Sequence, residues 1–313
     1  MLRFWKKRFF VLSFGCVCTI GSAHVVAAEK AEKPAKADDG HAIKVQQAMQ
    51  FFQENKFKEA EAAFRALLAE DEKAHGLDHP DTLQDRKNLA IIMGVEGDYI
   101  GAENVLQEGI DLESGVLGPE NKDVIEFREL FASTLAREGR NTEAVREFRK
   151  ILALRERVFG LDDATTARAR SNLGSTLNDI GEYREAEQLL RAAQPILDKK
   201  LSPRDPAVLL NRTNLVKTLI ALGRFAEAEK EQRTILTSLQ QIVGPQHPEV
   251  ALAALNLAAT LRVEKKYKEA LDLTRTSETQ LAQFMGANAP KVKEAHQLRL
   301  EIETEAAGQK KSK

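Results

Sequence analysis

The chain has 313 residues, 43% of them hydrophobic but only 6% aromatic, with 46 basic against 47 acidic side chains. Many Ala, Leu, Glu, Lys and Arg with few aromatics favour helices and argue against a β-rich fold. A near-neutral balance, mildly acidic without residues 1–28, makes the chain a poor candidate for general nucleic-acid binding.

Residues 1–28 read as an export signal. Arg3, Lys6, Lys7 and Arg8 open the chain, an apolar run follows, and Val26 and Ala28 supply small residues for cleavage before Glu29. The rival reading is an uncleaved inner-membrane anchor, although Gly15, Gly21, Ser22 and His24 make a poor span. Cleavage would release the protein into the periplasm, with no membrane contact unless the signal is retained. Both cysteines, Cys16 and Cys18, lie in this segment, so the mature chain would have no disulfide and no thiolate metal site. Its balance would become 42 basic against 47 acidic residues. Residues 29–40 are charged, small and proline-interrupted, the composition of a flexible linker.

From residue 41 the chain repeats. NKFKEAEAAF, GDYIGAENVL, GRNTEAVREF, GEYREAEQLL, GRFAEAEKEQ and KKYKEALDLT begin at Asn55, Gly97, Gly139, Gly181, Gly223 and Lys265, each 42 residues after the last. A second marker, from HGLDHPDTL at His75 to MGANAPKVK at Met285, keeps the same period. Units therefore start near 41, 83, 125, 167, 209 and 251, and each has two breaks. The segments between breaks carry apolar residues at helical spacing: Leu83, Leu89, Ala90 and Met93, then Tyr99, Ala102, Leu106 and Ile110. A unit is helix, turn, longer helix, loop.

The punctuation has physical causes. Gly97, Gly139, Gly181 and Gly223 follow the first helix, where a left-handed residue ends it cheaply. Pro80, Pro206, Pro248 and Pro290 suit a first helical turn, where a missing N–H costs nothing. The preceding residue is then the cap; Asp205 is a good one, and Asn121 and Asp163 hold the equivalent place. Small residues recur in two columns, Ala60, Ala102, Ala144, Ala186, Ala228 and Ala270, and Ala48, Ala90, Ala132, Gly174 and Ala258, the latter broken by Val216. They let neighbouring helices approach closely. Residues 290–304 form a lone last helix, with Val292, Ala295, Leu298 and Ile302 covering the end of the stack. Residues 307–313 are expected to be a disordered tail.

This pattern resembles the tetratricopeptide repeat, in the 42-residue form found in kinesin light chains. The residues that carry the resemblance are Asn88 to Ala90, Asn256 to Ala258, Gly97, Tyr99, Ala102–Glu103, and the loops Gly76 to Pro80 and Gly244 to Pro248. It covers roughly residues 41–306 and departs where Leu130 replaces the Asn, where Asn141 replaces the aromatic, and in the first unit, which has Gln46 and Asn55. It implies an all-α fold: a right-handed α-solenoid of six helix pairs with a C-terminal capping helix.

Motifs for chemistry are sparse. His41, His75, His79, His247 and His296 form no H-E-x-x-H, and no phosphate loop or nucleophile elbow occurs. His79 and His247 share one repeat position, at a helix start. Glu182, Glu185 and Glu187 look like a carboxylate cluster, but Glu185 and Glu187 point about 200° apart on a helix. No metal, no cofactor and no catalytic activity are expected.

The candidate site lies on the first helices. Asn88, Asn172, Asn214 and Asn256 share one position, although Asn costs a helix interior up to about 0.7 kcal/mol relative to Ala. The structural alternative is hydrogen bonding between repeats. The resemblance implies that this position lines a concave groove that holds a peptide backbone, with Lys87, Arg137, Arg168, Ser175, Lys217 and Arg262 as groove neighbours. A second column, Lys44, Arg86, Arg128, Arg170 and Arg212, is expected to pack its stems between helices and pair its heads with acids such as Glu103, Glu187 and Glu229. The expected function is a non-catalytic scaffold binding an extended peptide or protein segment in the cell envelope. The alternative is a membrane-anchored envelope factor working through its outer surface.

Overall fold

The computed structural model describes residues 39–311, which form thirteen α-helices and no strand among them. In chain order these are α1 (Asp39–Gln53), α2 (Phe57–His75), α3 (Pro80–Glu96), α4 (Tyr99–Leu117), α5 (Lys122–Glu138), α6 (Asn141–Phe159) and α7 (Ala164–Asp179). Then come α8 (Tyr183–Lys200), α9 (Pro206–Ala221), α10 (Phe225–Val243), α11 (Pro248–Val263), α12 (Tyr267–Met285) and α13 (Pro290–Lys311). The proposed signal segment and most of the proposed linker lie outside the described residues.

The described chain divides between Ile180 and Gly181 into two compact units. In the first, each of α1 to α7 packs on the next, and α3 also touches α5. In the second, each of α8 to α13 packs on the next, and α11 touches α13. This stepwise packing is that of a tetratricopeptide-type solenoid. None of the described helices is long and apolar enough to cross a membrane.

The turn that closes each helix pair explains the period. Positions 55, 97, 139, 181, 223 and 265 all have positive φ, between 59° and 97°. Glycine holds four of them at little cost; Asn55 and Lys265 hold the other two. The next residue then donates its N–H to the carbonyl five residues back: Lys56 to Phe51, Asp98 to Met93, Arg140 to Leu135, Arg224 to Leu219 and Lys266 to Leu261, all at 2.8–2.9 Å. This bond satisfies a carbonyl that the helix end would otherwise orphan.

Helix starts are capped as expected. Asn121, Asp163 and Asp205 accept backbone N–H groups two residues on, at 2.8, 2.8 and 2.9 Å. His79 and His247 do the same through Nδ1 at 3.3 Å. Pro80, Pro206 and Pro248 stand in the first helical turn. The column Ala60, Ala102, Ala144, Ala186, Ala228 and Ala270 is completely buried at 0% exposure. At the end of the chain Val292, Ala295, Leu298 and Ile302 are buried against Leu255, Ala258, Ala270 and Leu281, so α13 closes its stack.

Two boundaries differ from expectation. Asp39 and Gly40 already belong to α1, and α13 continues past Thr304 to Lys311. Glu305, Ala306, Ala307, Gln309, Lys310 and Lys311 are good helix formers, and Gly308 alone does not stop them.

Candidate peptide-binding face

The Asn column falls on the first helices, α3, α7, α9 and α11, but its members are not equivalent. Asn88, Asn172 and Asn256 are half-buried, whereas Asn214 is 2% exposed. Asn88 Oδ1 accepts from Gln84 Nε2 one turn earlier, at 3.0 Å. Ser175 and Arg168 are half-buried beside Asn172 on α7. Arg137 and Lys217 are exposed and make no ion pair with described residues.

Two expected groove cations are occupied instead. Lys87, 8% exposed, donates from α3 to Asp123 at 3.2 Å and Glu126 at 2.8 Å on α5, with Phe127 beneath its ammonium. Arg262 on α11 pairs with Glu301 on α13, with Glu305 at 3.9 Å. Both tie one first helix to the next element on the same side. Asn214 is likewise withdrawn into the interior. Of the expected face residues, Asn88, Arg137, Arg168, Asn172 and Ser175 in the first unit and Lys217 and Asn256 in the second stay half-buried or exposed.

In the basic column Arg86, Arg170 and Arg212 pair with acids other than those expected, while Lys44 is exposed and pairs with Glu70. Arg170 pairs with Glu156 at 2.8 Å and Arg212 with Asp198 at 2.6 Å, and Arg86 pairs with Glu72, each acid 14 residues back. Arg86 and Arg212 add Glu108 at 3.1 Å and Glu231 at 2.8 Å. Arg128 breaks the series, because Ser114 stands where the acid belongs. Arg128 Nε and Ser114 Oγ are both buried without a hydrogen-bond partner.

Glu103, Glu187 and Glu229 serve a separate ladder. They pair with Arg140 at 2.9 Å, Arg224 at 2.5 Å and Lys266 at 2.5 Å, each base 37 residues on, at the turn of the following repeat. Burial works against ionisation of Glu229. Hydrogen bonds from Lys266, Glu264 and Arg233 outweigh it and bring the carboxyl down to about 2. Glu187, which looked like part of an acidic cluster, is thus an inter-repeat tie, while Glu182 caps nothing with its side chain.

One grouping escaped the sequence reading, which weighed His41 only for a histidine motif. His41, Asp71 and Asp85, on α1, α2 and α3, bring one ligand atom each within 4.8 Å of the others. Burial pushes Asp85 up to about 6, against the hydrogen bond and charge of His41, with Asp71 and Asp81 adding to the rise. Burial alone would lower His41, but the Asp85 hydrogen bond and the charges of Asp85, Asp71 and Asp81 raise it overall. The signal was available as a loss of apolar residues at repeat positions that are mostly apolar elsewhere.

Helix pairs recurring every 42 residues, closed by left-handed turns and tied by repeat-spaced ion pairs, define a helical-repeat protein. The tetratricopeptide-repeat family model matches residues 126–199 and 205–279. Residues 126–199 and 205–279 are therefore tetratricopeptide repeats. Its solved neighbours share the fold at low identity. One is a Podosopora anserina putative kinesin light chain with nearly identical TPR-like repeats, at 19% identity and TM-score 0.59, over 66% of this chain and 99% of that one. Another is BtubC (BKLC) from P. vanneervenii, at 17% identity and TM-score 0.61, over 80% of this chain and 95% of that one. A third is a Rap protein complexed with Competence and Sporulation Factor, at 14% identity and TM-score 0.56, over 88% of this chain and 78% of that one. No curated protein matches in sequence. The fold is generally a non-catalytic scaffold for protein interactions.

Proposed function

We propose that the protein is a non-catalytic scaffold of the cell envelope that holds an extended peptide or protein segment on its first-helix face. The observation that carries this reading is the recurrence of a half-exposed Asn at one repeat position, on Asn88, Asn172 and Asn256. An amide offers one donor and one acceptor group, which matches the alternating N–H and C=O of an extended backbone. Arg137 and Lys217, exposed and without ion pairs among the described residues, would add acidic preference. The Rap neighbour, complexed with Competence and Sporulation Factor, shows that a protein of this fold can hold a partner.

Site-specific photo-crosslinking tests the reading in cells. A crosslinker at Asn172 or Asn256 is expected to capture one recurring protein, and one at Lys230, exposed on α10, is expected not to. Equal capture at all three positions would overturn it. Localisation has its own test in N-terminal sequencing of the protein from the envelope fraction. A chain beginning at Glu29 supports release into the periplasm; retention of Met1 to Ala28 supports the membrane-anchored alternative.

A further inference from the structure

Near the start of the repeat array three repeat positions carry polar residues, His41 and Asp71 in the first unit and Asp85 in the second. His41 corresponds to Leu83, Ile125, Ala167, Leu209 and Ala251, all apolar, and then to Lys293 in α13. Asp85 corresponds to Phe127, Ala169, Asn211, Ala253 and Ala295. Asp71 corresponds to Glu113 and Arg155, then to Leu197, Leu239 and Leu281. The three substitutions meet in space. His41 Nε2 lies 3.1 Å from Asp71 Oδ2 and 3.1 Å from Asp85 Oδ2.

Both carboxylates are deep in the protein, Asp71 at 6% and Asp85 at 1% exposure, while the imidazole is partly open to solvent. Asp71 Oδ2 is buried and accepts no hydrogen bond. Two buried carboxylates against one imidazole leave negative charge that a single His cannot neutralise. A buried charge of that kind costs several kcal/mol unless compensated.

We propose that His41, Asp71 and Asp85 form a binding site for one divalent transition-metal ion, of the Zn²⁺ class. One imidazole nitrogen with two carboxylate oxygens is a borderline donor set that suits Zn²⁺ better than the all-oxygen sites of Ca²⁺ or Mg²⁺. Metal bonds of about 2.0 Å in a tetrahedron put neighbouring donors about 3.3 Å apart, close to the spacing His41 makes with each aspartate. Two carboxylates balance the ion's charge with a neutral imidazole. The three donors come from three successive helices, so the ion staples α1 to α2 and α3. The first repeat has no preceding described repeat to pack on, and the staple supplies order there.

The test uses purified full-length protein stripped with a chelator, then titrated with ZnCl2 by calorimetry and with CoCl2 by visible absorption. Thermal unfolding is followed in parallel. One Zn²⁺ per chain, a higher Tm with the ion, and a Co²⁺ spectrum of four- or five-coordination are expected. Asp71→Leu and His41→Leu install residues that other repeats carry at those positions, and helical circular dichroism checks that they fold. Each should weaken binding by at least on the order of a hundredfold, beyond the loss typical of outer partners of a metal site. Absence of saturable binding in the parent protein, or unchanged affinity and stoichiometry in either folded variant, overturns the site.

Discussion

Arg170 donates from Nη2 to Glu156 Oε1 at 2.8 Å, and from Nη1 to the carbonyl of Leu161 at 3.0 Å, clamping α7 to the end of α6 and its loop. The clamp recurs 14 residues back from Arg86 and Arg212, so it belongs to the repeat rather than to one site. Removing its acid strands a mostly buried guanidinium. Glu156→Leu is expected to lower unfolding free energy by about 1–3 kcal/mol, reduced from the fully buried case because Glu156 is partly solvated. Urea denaturation measures it.

The defective rung offers the converse experiment. Arg128 Nε and Ser114 Oγ are buried without partners. Ser114→Glu places a carboxylate where the other rungs have one, and is expected to raise the unfolding free energy by roughly 1 kcal/mol, read as a higher urea midpoint. A lower midpoint would mean that the neighbouring buried Glu113 repels the new charge more than Arg128 attracts it.

Lys265 sits at φ 62° where four other repeats use glycine. A side chain in that region costs about 1–2 kcal/mol, and glycine gives back roughly 0.5–1 in unfolded-chain entropy. Lys265→Gly is therefore expected to stabilise the protein by up to about 1 kcal/mol, read as a higher Tm. Asn55→Gly, from a residue that tolerates this conformation better, should gain less.

Asp163 tests the caps and carries a sign in pH. It accepts from Thr165 N at 2.8 Å and Thr166 N at 3.2 Å. Burial pushes its carboxyl up, but these bonds and the Thr165 hydroxyl bring it below the ordinary value. The folded state thus prefers the ionised form. Its contribution is complete above the unfolded pKa near 4 and is lost as pH falls through the lower folded pKa. Asp163→Ala is expected to cost about 1 kcal/mol at pH 7 and progressively less below pH 4. Denaturation curves at pH 7 and pH 3 supply the comparison.

Lys87 distinguishes a clamp from a ligand contact. Its ammonium is shared by Asp123 and Glu126. Lys87→Met keeps the stem and removes the charge, and is expected to cost about 1–2 kcal/mol of stability while leaving crosslinking from Asn172 intact. Loss of crosslinking in a folded Lys87→Met protein would return Lys87 to the binding face.

The helices and their breaks were legible because the signals that set them are local. A glycine or an Asn at a left-handed turn, a proline in a first turn, and a side-chain cap two residues earlier each act within a few bonds. The Ala column was legible because every copy meets the same neighbour. The partners of the arginines were not. Glu103 and Glu156 are both acids on second helices, and only the way those helices pack decides that Arg170 reaches Glu156 while Glu103 reaches Arg140. The Asn column was read as uniform, yet Asn214 is buried and Asn172 is not, because their surroundings differ while their repeat position does not.

The amino-acid sequence by itself determined the repeat, its period of 42 residues, the breaks between internal helices and the inward faces, since these follow from periodicity and short-range backbone chemistry. Tertiary structure alone decided which charges are spent between repeats, which Asn side chains stay near the surface, and that His41, Asp71 and Asp85 converge. Those residues lie 30 and 14 positions apart on three helices, and only the packing of those helices brings them within reach of one another.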